Sequence, residues 1–253
     1  MLDTFGSVVG PLVTAGLLYV LAKNAMQYRI IFYIGGSISA VTLLLIAFFV
    51  KEKPQADSKD QNKFDFSLLK GKFLFFLVIM LVFTLGNSSD SYLILRAQDV
   101  GVSAIAIPIV YALFNLFYGL LATPAGILSD NIGRIKIMQA GWLIYALCYI
   151  GFAVARQPWQ IWLIYIFYGM YYATTEGISK ALVARVVPEN QRGTAYGLFN
   201  ASLGLMSLPA NLIAGYLWDR VAPSATFYFG AICALAAFVL ISFSKLDKPQ
   251  ISS

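Results

Sequence analysis

Histidine is absent from this 253-residue chain, cysteine occurs twice, and charged side chains make up only 12% of it. The missing histidine removes the commonest general base and metal ligand. Cys148 and Cys233 alone supply neither a Cys/His metal site nor a disulfide framework. An enzyme built on a nucleophile and a base would have to work with Asp or Lys, and no cofactor or metal is expected. No Walker-type glycine loop is present, so direct use of ATP lacks its motif. The opening residues lack the basic region and cleavage site of a signal peptide. The scarcity of charge excludes most. A soluble chain of this length has enough residues for a core but would need far more charge to cover its surface.

What the chain has in quantity is hydrocarbon: 59% of residues are hydrophobic and the mean hydropathy is +0.74. That is the composition of a membrane protein. A hydrocarbon layer roughly 30 Å thick takes about 20 helical residues. Apolar segments of that length run at 4–22, 30–50, 73–95, 102–126, 135–155, 159–181, 193–218 and 225–244. They are too long, and alternate too little, for barrel strands. An all-α integral membrane fold with about eight transmembrane helices is therefore predicted. Pro11, Pro108, Pro124 and Pro209 fall inside these segments, which bilayer helices tolerate when neighbours satisfy the freed backbone groups.

Basic residues orient the chain. Lys51, Lys53, Lys59, Lys63, Lys70, Lys72, Arg134, Lys136, Lys180, Arg185, Arg192, Lys245 and Lys248 lie on one set of connections. Only Lys23, Arg29, Arg96, Arg156 and Arg220 lie on the other. The positive-inside rule puts the first set, and both termini, in the cytoplasm of a plasma or inner membrane. The net charge of +6 mostly reflects this bias, and no nucleic-acid partner is expected.

Residues 1–50 hold two helices, 51–72 a polar cytoplasmic linker, 73–244 a block of six helices, and 245–253 a cytoplasmic tail. Phe64, Phe66, Leu68 and Leu69 either lie along the membrane surface or belong to a solvated linker. A repeat relates the ends of the chain. "GSVVGP" from Gly6 and "GLMSLP" from Gly204 place a glycine five residues before a proline, and "FYIG" at Phe32 and "FYFG" at Phe227 follow at nearly the same offset. Residues 1–52 then copy residues 199–248, as in two parallel membrane halves. On that reading residues 1–50 are the last two helices of a first six-helix bundle, with four helices absent, and 73–244 is a complete second bundle.

One polar stretch interrupts the block: "GILSDNIGRIKIM", residues 126–138. Gly126 and Gly133 allow a tight cytoplasmic turn, Asp130 can cap the following helix, and Arg134 stands four residues on as an ion-pair partner. The result is a charged latch able to hold neighbouring helices in one of two arrangements. Glu176 and Lys180 form a second four-residue pair near the same end.

Three motifs carry a resemblance. "GILSDNIGRIK" is similar to the cytoplasmic loop signature of the major facilitator superfamily, "DTFGSVVGP" to the Gly-Pro signature of its fifth helix, and "VPENQRGTAYGL" to the Arg-Gly loop before its eleventh. Arg192 of that loop joins the latch residues. The resemblance covers the family's fifth to twelfth helices. It implies a secondary transporter whose two six-helix bundles rock about a central site, moving a small organic solute with protons as the coupling ion. The family's first four helices have no counterpart here, so this chain alone is expected to reach the membrane without transporting. A non-transporting, partner-binding module is the alternative.

Alternating access needs polar groups facing a cavity, and ionisable residues at depth are costly unless functional. Asp90 lies 17 residues beyond Phe73, about 26 Å along a helix, behind Asn87, Ser88 and Ser89. Four consecutive polar side chains compete for backbone hydrogen bonds and loosen a helix. Asp90 either contacts the solute or pairs with Arg96 or a lipid head group. Tyr165, Tyr168, Tyr171 and Tyr172 offer ring surface and hydroxyls, for a solute or for helix packing. Tyr111 with Asn115, and Asn200 with Asn211, share helix faces and are weaker candidates. Gly197, Gly204 and Gly215 read as close-packing positions.

Overall fold

The computed structural model describes residues 2–21, 26–49 and 70–244. Lys23, most of the linker, its 64–69 stretch and the 245–253 tail lie outside the described residues. The chain forms α1 (Leu2–Val20), α2 (Gln27–Phe49), α3 (Gly71–Gly86), α4 (Asp90–Asp99), α5 (Ala106–Ile132), α6 (Arg134–Val154), α7 (Pro158–Val186), α8 (Arg192–Arg220) and α9 (Pro223–Ser242). No strand occurs among the described residues. α3 and α4 together make one broken membrane rod, so the described rods number eight and the fold is all-α. Six rods are long and apolar enough to cross a bilayer by length and composition. α1 is a shorter apolar helix, and α7 carries Glu176, Lys180 and Arg185 in its last turns.

In lipid, helices associate through close packing and interhelical hydrogen bonds, because tails are as apolar as leucine. α6 is the axis of the block: it packs on α7 and α9, α5 packs on α7, and α3 on α8 and α9. The centre is aromatic. Trp142, Tyr145, Tyr149, Phe152, Tyr165, Tyr168, Phe76 and Phe227 are all at most 1% exposed. Rings pair edge-on or offset, as between Phe152 and Tyr165 with centroids 5.5 Å apart.

The close crossings fall at glycines other than those expected. Gly86 of α3 meets Gly230 of α9. Gly169 of α7 lies against the Phe114 backbone of α5. Gly197 and Gly204 face open space, and Gly215 meets only the Tyr92 hydroxyl; α8 turns those positions away from its neighbours. α1 leans on α5, and α2 touches α1. None of the apolar window of α2 is buried, and Gly6, Gly10, Gly16, Gly35 and Gly36 face nothing within 4 Å.

Candidate functional site

The polar run after Gly86 breaks the third rod. Helix α3 ends at Gly86, Asn87–Ser89 are non-helical, and α4 starts at Asp90. A continuous 73–95 helix was expected, although the loosening was legible in the run itself. Inside a bilayer the backbone groups freed by a break must be satisfied by protein. Helices α6 and α8 do this. Tyr145 of α6 donates to the Gly86 carbonyl at 3.1 Å and approaches Asn87 Oδ1 at 3.4 Å. Asn211 of α8 accepts from the Ser89 amide at 2.8 Å, while the Tyr92 hydroxyl donates to the Asn211 carbonyl at 3.3 Å. Ser89 caps α4 by accepting from the Ser91 amide at 3.2 Å.

Asp90 is thereby set in the first turn of α4, where the positive end of the helix dipole favours a carboxylate. Tyr168 of α7 donates to Asp90 Oδ1 at 3.1 Å, and the Tyr111 hydroxyl of α5 approaches the same carboxylate. Arg96 does not pair with Asp90. Its guanidinium reaches the end of α6, donating to the carbonyls of Phe152 (2.9 Å), Ala153 (3.3 Å) and Ala155 (2.9 Å), and so ties α4 to α6. This disposes of the Asp90–Arg96 pair held open by the sequence.

The tyrosines converge. Tyr168 and Tyr172 lie with centroids 5.3 Å apart, Phe114 and Tyr172 5.1 Å, and Tyr111 and Tyr165 5.7 Å. Tyr165, Tyr168 and Tyr171 are buried, while Tyr111, Tyr172, Asp90 and Asn87 are half-buried on the open side of the block. Ser88 is buried behind the break. Asn115 spends its amide on its own helix, donating to the Tyr111 carbonyl at 2.9 Å. Asn200 is exposed, and the α8 amide that reaches the break is Asn211, eleven residues on. Tyr145 was missed altogether. Its signal is a tyrosine in the middle of an apolar segment, whose hydroxyl needs a buried acceptor.

At the opposite end of the rods the latch is tighter than expected. α5 continues as helix through Ile132, so Gly126 lies inside α5, and Gly133 alone makes the turn with φ +107°. That conformation suits glycine. Asp130, held within α5, does not cap α6; it accepts from Arg134 at 3.0 and 3.3 Å. Arg134 also donates to the Ala181 carbonyl of α7 at 3.1 Å, linking α5, α6 and α7. Nearby, Glu176 pairs with Lys180 at 3.1 Å and accepts from the Tyr118 hydroxyl at 2.8 Å. Arg192 donates to the Ala184 carbonyl at 3.2 Å and pairs with Glu189 at 3.4 Å. Between α5 and α7 a cleft of about 290 Å³ opens, lined by Tyr118, Gly126, Asp130, Arg134 and Gly177 among others.

Residues 73–252 match the family model described as Major Facilitator Superfamily. An uncharacterized MFS-type transporter of Methanocaldococcus jannaschii is 39% identical over 251 residues, covering 95% of this chain and 61% of its own length. A probable transporter of Saccharomyces cerevisiae is 30% identical over 141 residues, 54% of this chain and 24% of its own. A multidrug resistance protein of Cronobacter sakazakii is 24% identical over 144 residues, 57% of this chain and 34% of its own. The chain thus spans about three-fifths of the length of its M. jannaschii relative. With six helical rods long and apolar enough to cross a bilayer and a family match over most of its length, the chain is an integral, multi-pass membrane protein that belongs to the Major Facilitator Superfamily of transporters.

Proposed function

We propose that this chain forms the greater part of a secondary transporter that moves a small organic solute by alternating access, with protons as the coupling ion and without catalysis. The observation that carries this reading is the broken rod. A discontinuous helix at membrane depth, with a carboxylate at its second start, is the arrangement by which transporter folds build solute and ion sites. Asn87, Asp90, Tyr111 and Tyr172 form the cavity wall in this proposal, backed by the buried Ser88, Tyr168 and Tyr171, with Asn115 and Asn200 peripheral to it. The Asp130–Arg134 and Glu176–Lys180 pairs, with Arg192, serve as the gate at the basic end. That end, and both termini, face the cytoplasm of a plasma or inner membrane by the bias of basic residues.

Residues 1–50 act as the last two helices of a first bundle, 51–72 as the linker, and 73–244 as the second bundle. The other wall of the path is supplied by helices beyond those of this chain. This is consistent with the open faces of α1 and α2 and with the length of the M. jannaschii relative. A non-transporting module is the competing reading, favoured by the same open faces. The deciding measurement is solute flux in proteoliposomes by a version that includes the missing wall. Asp90→Asn should change solute affinity or the pH dependence of flux there; both unchanged across several pH values would remove Asp90 from the path.

A further inference from the structure

Resting on the reading that Asp90 lies on the transport path, we propose that the solute is a lipophilic organic cation held between the Asp90 carboxylate and the rings of Tyr111 and Tyr172. Charge is the first ground. The acids at the basic end are offset within the protein: Asp130 by Arg134, Glu176 by Lys180 and Glu189 by Arg192. Asp90 is in none of the ion pairs among the described residues, and the basic side chain nearest it in sequence, Arg96, is spent on α6 carbonyls. The α4 terminus and the Tyr168 hydroxyl supply partial positive charge only. An anionic solute would be repelled. A neutral one would leave the carboxylate unpaired in a low-dielectric wall unless it took up a proton, whereas a cation completes the pair without one.

The rings are the second, independent ground. Aromatic faces carry negative quadrupole charge and attract a cation within about 6 Å of the ring centroid. Tyr111, Phe114 and Tyr172 form a continuous wall, with Tyr111–Phe114 centroids 5.8 Å apart and Phe114–Tyr172 5.1 Å. Tyr168 closes it from behind, 5.3 Å from Tyr172 and hydrogen-bonded to Asp90. Tyr111 and Tyr172 are the half-buried members, open to an incoming solute. A carboxylate set into such a wall fits a cation with apolar substituents better than a small, strongly hydrated one, whose water the rings cannot replace.

Tetraphenylphosphonium and tetraphenylborate share shape and differ in charge, and they separate the possibilities. Binding of each to the purified chain in nanodiscs, less binding to empty nanodiscs, should show saturable uptake of the cation only. Asp90→Asn should weaken cation binding at least about 10-fold, Asp90→Glu should retain it, and Tyr172→Leu should weaken it about 3- to 30-fold. Saturable tetraphenylborate binding of equal affinity, no saturable cation binding, or cation affinity unchanged by Asp90→Asn overturns the proposal. The underlying reading is scored separately by flux. If Asp90→Asn alters flux but not cation affinity, the solute class is wrong and the path stands; if it alters cation affinity but not flux, the site exists off the path.

Discussion

Gly169 stands where α7 crosses α5, and a Cβ there would lie 2.7 Å from the Phe114 carbonyl oxygen and 3.1 Å from the Tyr118 nitrogen. Both are backbone atoms, so the helices themselves would have to part. Gly169→Ala should therefore destabilise the block by about 1–3 kcal/mol, the usual cost of overpacking. Gly204→Ala meets open space and exchanges glycine for a better helix former, a gain of up to about 1 kcal/mol. Cys148 and Cys233 are buried free thiols, and the temperature at which a thiol-reactive dye labels them reads both variants without an introduced cysteine. Equal midpoints for the two substitutions would show that the α5–α7 distance is not set by Gly169.

At the scale of elements, α4 is a ten-residue half-helix held by three tethers: Arg96 to α6, Ser89 and Tyr92 to α8, and Asp90 to α7. Hydrogen bonds from a charged donor are worth about 1.5–3 kcal/mol, so Arg96→Leu should raise amide exchange in α4 about 10-fold or more while α3 is unaffected. Uniform exchange across both would mean that Arg96 stabilises the whole block and does not restrain α4 in particular. The existence of the membrane rods was legible because bilayer thickness dictates their length, and the break was half-legible because Asn87, Ser88, Ser89 and Asp90 are consecutive. Its repair was not, since Tyr145 and Asn211 reach it from 58 and 122 residues away. The latch shows the same limit. Gly126 and Gly133 look alike in sequence, and only the backbone shows that one lies in a helix and the other makes the turn. Among glycines, close packing depends on which face a neighbour covers, and for that reason Gly169 and Gly86 were not distinguishable from Gly197 and Gly204.

At the scale of the molecule, the six-rod block has an aromatic core and its own hydrogen-bonded crossings, whereas α1 and α2 add little buried surface. Lipid can solvate the open faces of α1 and α2, but it cannot form the second wall of a polar path. The 253-residue chain is expected to insert and fold without solute flux, and a version extended by about four further spans of some 20 residues each to carry flux. Saturable uptake by the purified 253-residue chain in liposomes would show instead that two copies share walls.

The contact between α4 and α8 includes a tilted ring pair of a different use. Tyr92 and Trp218 lie with ring centroids 5.6 Å apart at a 45° tilt. Trp218 is one of four tryptophans, and Trp142 is sealed in the core. A displacement of the half-helix would separate a phenol from an indole and change the indole's surroundings, so the protein carries an optical reporter of its own α4, readable as tryptophan emission in a variant that keeps Trp218 alone.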